Sequence, residues 1–103
     1  MGSKPVTRLG DKTTGHGPYK PRPATGASPD VFANNIAVNR VGDGWAPHGA
    51  SPAYNGDPHP GEGNHTTSAG SGTVFANDKA VARIGDPVEG DTIGAGSSDV
   101  FAG

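Results

Sequence analysis

The stretch from which the whole sequence can be read is Val31-Phe32-Ala33-Asn34-Asn35-Ile36-Ala37-Val38-Asn39-Arg40-Val41-Gly42-Asp43. Two β-prone arms flank an Asn pair, and Asn tolerates the positive φ that a two-residue hairpin turn demands. Taking Asn34-Asn35 as the turn sets Val31 opposite Val38 and Phe32 opposite Ala37, small cross-strand pairs that suit a hairpin. The same order returns in residues 74–86, where Asn77-Asp78 is the turn, Val74 faces Val81 and Phe75 faces Ala80.

Working outward, each half of this unit is itself a repeat. Val-x-Arg-(apolar)-Gly-Asp stands at residues 6–11, 38–43 and 81–86, and Ser-x-(Asp/Thr)-Val-Phe-Ala at residues 28–33, 71–76 and 97–102. Residues 6–11 are an outgoing strand lacking its incoming partner, and residues 97–102 are the converse. Each is the other's missing half. The economical architecture is all-β: a closed pseudo-threefold arrangement of three hairpins, the third assembled from the two ends of the chain, which also removes exposed sheet edges. Residues 1–103 then form a single domain. The connections 12–27, 44–70 and 87–96 hold most of the Pro and Gly, read as irregular, and fall at the pole opposite the Asn turns.

Composition says what such a fold lacks. The 103 residues include 18 Gly, 10 Pro, no Cys and only 15 Leu, Ile, Val and Phe, which is little apolar mass for a core. The net charge of −2 is too small to indicate disorder, and no basic stripe marks a nucleic-acid surface. No disulfide can staple the fold, so metal ligation or docking on a partner is expected to contribute, the rival being a disordered metal-buffering chain. Neither an apolar span long enough for a bilayer nor a secretory leader is present.

All four histidines, His16, His48, His59 and His65, fall in the connections. His16 and His48 each stand five residues after a repeat Asp, where the third repeat has Asp91. Pseudosymmetry brings these positions toward one axis, and the longest connection can carry His59 and His65 over it. A tetrahedral all-His or three-His-plus-carboxylate site for Zn²⁺ is the expectation, with iron, nickel or copper also able to accept imidazole. Arg8, Arg40 and Arg83 are expected to bind Asp11, Asp43 or Asp86 within the ring. Trp45 and Tyr54 read as a lid over the small core. No nucleophile elbow or His-Glu-x-x-His motif occurs, and the chain is too small to enclose a catalytic pocket, so no enzyme is expected.

The segments Ala80-Val81-Ala82-Arg83-Ile84-Gly85-Asp86, Ala37-Val38-Asn39-Arg40-Val41-Gly42-Asp43 and Pro5-Val6-Thr7-Arg8-Leu9-Gly10-Asp11 closely resemble the PAAR-repeat family, named for a Pro-Ala-Ala-Arg sequence. Residues 10–17 and the three Val-Phe-Ala segments are also typical of it. The resemblance implies a small cone, metal-stapled at its apex, that sharpens the blunt end of a trimeric β-helical spike in contractile phage tails or type VI secretion. The implied partners are that spike, a tail spike or VgrG-like protein, and transiently the target membrane. Family members bind zinc, iron being the less expected metal, commonly through three His and one Cys; His16, His48 and His65 fall at suitable places. Glu89 stands where many relatives have Cys. The fourth ligand is thus His59 or Glu89, with His59 favoured because imidazole suits zinc without adding charge. With few residues outside the repeats, the chain reads as a bare cap at a virion baseplate or secreted by a type VI system. The alternative is an adaptor that carries a separate effector on its Pro-rich loops.

Overall fold

The computed structural model describes residues 3–15, 21–46, 66–88 and 91–103. Every strand in it is short, as a chain so rich in Gly and Pro requires, and every pairing is antiparallel. The two continuous hairpins join β2 (Phe32–Ala33) to β3 (Ile36–Ala37) and β4 (Phe75–Ala76) to β5 (Lys79–Ala80). Their registers place Phe32 opposite Ala37 and Phe75 opposite Ala80, as expected from the Asn turns. The third hairpin joins β1 (Lys4–Pro5) to β8 (Phe101–Ala102), so the two ends of the chain do complete one another. Asn34, Asn35, Asn77 and Asp78 have φ of 55, 64, 55 and 66°, the paired left-handed conformation of a type I′ turn.

Three cyclic backbone pairings fuse these hairpins into one body: Arg8 with Val38, Arg40 with Val81, and Arg83 with Val6. At the centre, the Thr7 N–H donates to the Ala82 carbonyl, the Ala82 N–H to Asn39 and the Asn39 N–H to Thr7, each at 2.9 Å. All three residues are wholly buried. This triangle of hydrogen bonds marks the pseudo-threefold axis, and it satisfies the backbone groups that meet there. The body measures 40 × 24 × 23 Å, long in one direction and nearly equal in the other two.

Two small cores lie on either side of the triangle. Below it, Val6, Val38 and Val81 pack with Ala33, Ala76 and Ala102. Above it, Trp45, Val88, Ile93 and Ala24 pack on Ala82. Trp45 is the lid that its isolation in the sequence suggested, and its indole N–H donates to Thr67 Oγ1 at 2.8 Å. That hydroxyl in turn donates to Asn39 Oδ1 at 2.6 Å, tying the upper core to the triangle through satisfied polar groups.

The connections are more regular than expected. Thr13 pairs with Ile93, Ala24 with Trp45 and Thr67 with Val88, forming a second threefold ring. Lys12 pairs with Pro23 and Gly44 with Thr66, while β6 (Pro87–Val88) pairs with β7 (Asp91–Thr92) as a fourth hairpin. The described part of each connection is therefore paired like the base of a hairpin, and is called a petal below. The sequence obscured this because Pro and Gly interrupt the petals, yet one or two pairs per petal suffice when its neighbours cover it.

Candidate functional site

Two poles can carry function, and both are built by the repeats. At the hairpin pole, the repeat Ser acts as a local cap. Ser28 Oγ accepts from the N–H groups of Asp30 and Val31, Ser71 Oγ from Thr73 and Val74, and Ser97 Oγ from Asp99 and Val100. This cap turns the chain outward immediately before the Val-Phe pair. The consequence is exposure: Phe32, Phe75 and Phe101 are 57, 57 and 52% accessible, and Val31, Val74 and Val100 are 37, 39 and 37%. Six large apolar side chains, identical in three repeats, therefore face outward. The hairpins themselves were legible in the sequence; the outward Phe side chains emerge only from the fold.

Each corner is latched by charge. Arg8, Arg40 and Arg83 pair with Asp11, Asp43 and Asp86 of their own repeats at 2.9, 2.7 and 3.0 Å, as expected. The pairing raises the guanidinium pKa of Arg8 and of Arg40, chiefly through the side-chain hydrogen bonds that Asp11 and Asp43 accept from them. Gly10, Gly42 and Gly85, at φ of 87, 91 and 92°, make the tight return that lets each Asp reach its Arg. The arginines also reach across repeats. Arg8 Nη1 donates to Asn34 Oδ1 and Arg40 Nη1 to Asn77 Oδ1, at 3.1 and 3.0 Å.

The same amide oxygens accept from Ser97 Oγ and Ser28 Oγ, and the amide nitrogens donate to Asp99 and Asp30. The turn residues Asn34 and Asn77 are thus built into the ring rather than presented to a partner. At the third corner no turn exists, and Ser71 Oγ donates to the Gly103 carbonyl instead. Thr73 replaces Asp there, which fits, since a carboxylate facing a carbonyl oxygen would find no donor.

A family model for the PAAR motif matches residues 14–93. The chain belongs to the PAAR-motif family. That family is associated with the spike-tip proteins of contractile injection systems and with VgrG-like spikes, in a structural rather than enzymatic capacity. No curated protein matches the chain in sequence.

The other pole of this PAAR protein is where the petals end. His16, His48, His59, His65 and Glu89 lie outside the described residues, as does Tyr54. Among the described residues no group of three or more His, Asp or Glu is close enough to hold a metal ion. The described interior at this pole closes with Arg22 and Asp91, a buried ion pair that sequence reading did not identify. A count could have flagged it: Arg22 and Asp91 each stand six residues before a repeat Ser, Ser28 and Ser97.

Proposed function

We propose that this PAAR protein caps the end of a trimeric β-helical spike, a tail spike or VgrG-like protein, with its hairpin pole, and presents its petal tips as the point that meets the target membrane. The observation that carries this reading is the threefold identity of the exposed Val31-Phe32, Val74-Phe75 and Val100-Phe101 pairs. Buried repeats can stay alike because they pack on one another. Exposed aromatic residues have no such internal reason, whereas a homotrimer offers the same surface three times and rewards the same residue at each corner. By contrast, the exposed neighbours Ile36, Lys79 and Lys4 stand at equivalent strand positions and differ, so the shared footprint narrows to the Val-Phe pairs.

The apical metal belongs to the same proposal. Imidazoles and carboxylates are the donors zinc accepts, and Asp91 Oδ2, buried without a hydrogen-bond partner among the described residues, is the kind of atom a cation site leaves behind. His16, His48 and His65 would hold it, with His59 or Glu89 as the fourth ligand, and the ion would tie petals that share little apolar mass. The mechanical role follows: contraction drives the spike, and a stiff, narrow tip concentrates the force.

The test is complex formation with the purified trimeric spike of the same machine, read by native mass spectrometry. One chain per trimer is expected, and replacing Phe32, Phe75 and Phe101 together with Ser should abolish the complex without lowering the melting temperature of the free cap. Undiminished binding by that variant, or a different stoichiometry, would reverse the assignment of the poles.

A further inference from the structure

Backbone bonding in the three hairpins leaves one strand edge open at each corner. The Val38 N–H donates to the Val31 carbonyl, Val81 to Val74 and Val6 to Val100, at 3.0, 3.1 and 2.9 Å, so these pairs are hydrogen-bonded rungs. In an antiparallel ladder the next rung exchanges no bonds, and its N–H and C=O groups point away from the hairpin on both sides. That rung is Phe32 with Ala37, Phe75 with Ala80 and Phe101 with Pro5. Pro5 agrees with the assignment, since a residue without an N–H costs the ladder nothing at an unbonded position.

The two sides of the rung differ. On the outgoing strands β3, β5 and β1, the carbonyls of Ala37, Ala80 and Pro5 accept from the N–H groups of Leu9, Val41 and Ile84 in the neighbouring repeat, at 2.8, 2.8 and 3.0 Å. The ring covers that side. On the incoming strands β2, β4 and β8, the N–H and carbonyl of Phe32, Phe75 and Phe101 have no hydrogen-bond partner among the described residues. Each open edge is a single residue long, because the serine cap holds the N–H of Val31, Val74 and Val100 just before it. A stray strand therefore gains one rung only, which guards the free cap against edge-to-edge aggregation. A partner presenting three strand ends at once gains three rungs on one rigid body, and their effects multiply. The open edges belong to the exposed Phe residues, so main-chain and aromatic contacts fall in one footprint.

We infer that docking is strand addition: each subunit of the trimeric spike adds the end of one extended strand to the open edge at Phe32, Phe75 or Phe101. The inference rests on the docking proposed above and names its chemistry, main-chain hydrogen bonds beside aromatic contact. A purely apolar interface would be indifferent to the Phe N–H groups.

The test replaces Phe32, Phe75 or Phe101, one at a time, with phenyllactic acid by stop-codon suppression, which exchanges the N–H for an ester oxygen and keeps the side chain. An ester also weakens the carbonyl just before it, a rung acceptor in each hairpin. Lactic acid in place of Ala80 does the same on the covered side of the Phe75 rung and is the matched control. Each Phe ester should bind the purified, immobilised spike about fivefold more weakly than the Ala80 ester does, with similar melting temperatures for all the free caps. Binding by the Phe esters no weaker than by the Ala80 ester, with binding lost in the variant that carries Ser for all three Phe, would overturn the inference and leave the docking face standing. Phe esters that melt far below the Ala80 ester would also overturn it, since those N–H groups would then already be bonded within the molecule. A parent chain that does not bind the spike would overturn both readings.

Discussion

The hairpin pole and the petal pole are made from the same repeats but obey different rules. At the hairpin pole equivalent positions carry the same residue: Val6, Val38 and Val81 inside, Phe32, Phe75 and Phe101 outside. In the petals, equivalent positions two residues after each repeat Asp are Thr13, Trp45 and Val88, which differ in size and polarity yet are all buried. The petals enclose one shared interior, where only the summed volume and the satisfaction of polar groups matter, so a large Trp in one petal is balanced by smaller residues in the others. The hairpins present their Val-Phe pairs outward, and on the proposed function each corner would have to satisfy the same surface of a threefold partner. Strict repetition inside the hairpin pole reflects packing about the axis, strict repetition on its exposed face carries the docking proposal, and degenerate repetition marks the petals, which close on one shared interior.

The sharpest way to break this contrast is Trp45→Ala. Trp45 is the largest side chain of the upper core, so a loss of about 3–5 kcal/mol is expected in chemical denaturation, with Thr67 Oγ1 also losing its donor. The equivalent Val88→Ala should cost less, about 1–3 kcal/mol, because less volume leaves. Equal losses at the two positions would show that the petals are not compensating for one another.

A second comparison separates latch from turn. Asn34 and Asn35 both have positive φ, but only the Asn34 side chain bonds Arg8, Ser97 and Asp99. Replacement by Gly relieves backbone strain at either site, so Asn35→Gly should be neutral or slightly stabilising, while Asn34→Gly should lose about 1–3 kcal/mol of latch. Similar melting temperatures for the two variants would make the turn, and not the latch, the reason for Asn34.

At the exposed face a single Phe75→Ser should leave the melting temperature within a degree or two while weakening spike binding roughly tenfold or more, as removal of an aromatic anchor does. Lys79→Ile, which copies Ile36 into the second repeat, should leave binding nearly unchanged because that position varies among corners. A larger effect from Lys79→Ile than from Phe75→Ser would move the footprint to the rim.

The smallest expected effect concerns protons. The Asn34 amide first, then the Ser97 hydroxyl and Arg8, hold the Asp99 carboxyl below its ordinary value of 3.8. A carboxyl depressed in the folded state contributes stability above the unfolded-chain value, and that contribution disappears as pH falls through the lower folded value. Titration followed by NMR should place Asp99 below 3.8, and Asn34→Gly should move it upward. An unmoved titration in that variant would remove Asn34 as the cause.

The sequence by itself determined the hairpins, their register, the pairing of the chain ends and the Arg–Asp latches. Those features are local or repeated, and a two-residue turn leaves one register open once Val and Phe must alternate. Composition also told that the core would be small. The meeting of His16, His48, His59 and His65 was not legible in the same way, because in the long connections that carry them neither repeat register nor turn chemistry fixes the backbone. Only the tertiary structure decided that the Phe side chains point outward, that Thr7, Asn39 and Ala82 close a hydrogen-bonded triangle, that the petals pair with one another, and that Arg22 meets Asp91. Each of these depends on residues from different repeats arriving at a common axis, and the side a residue presents to that axis is set by three chain segments at once.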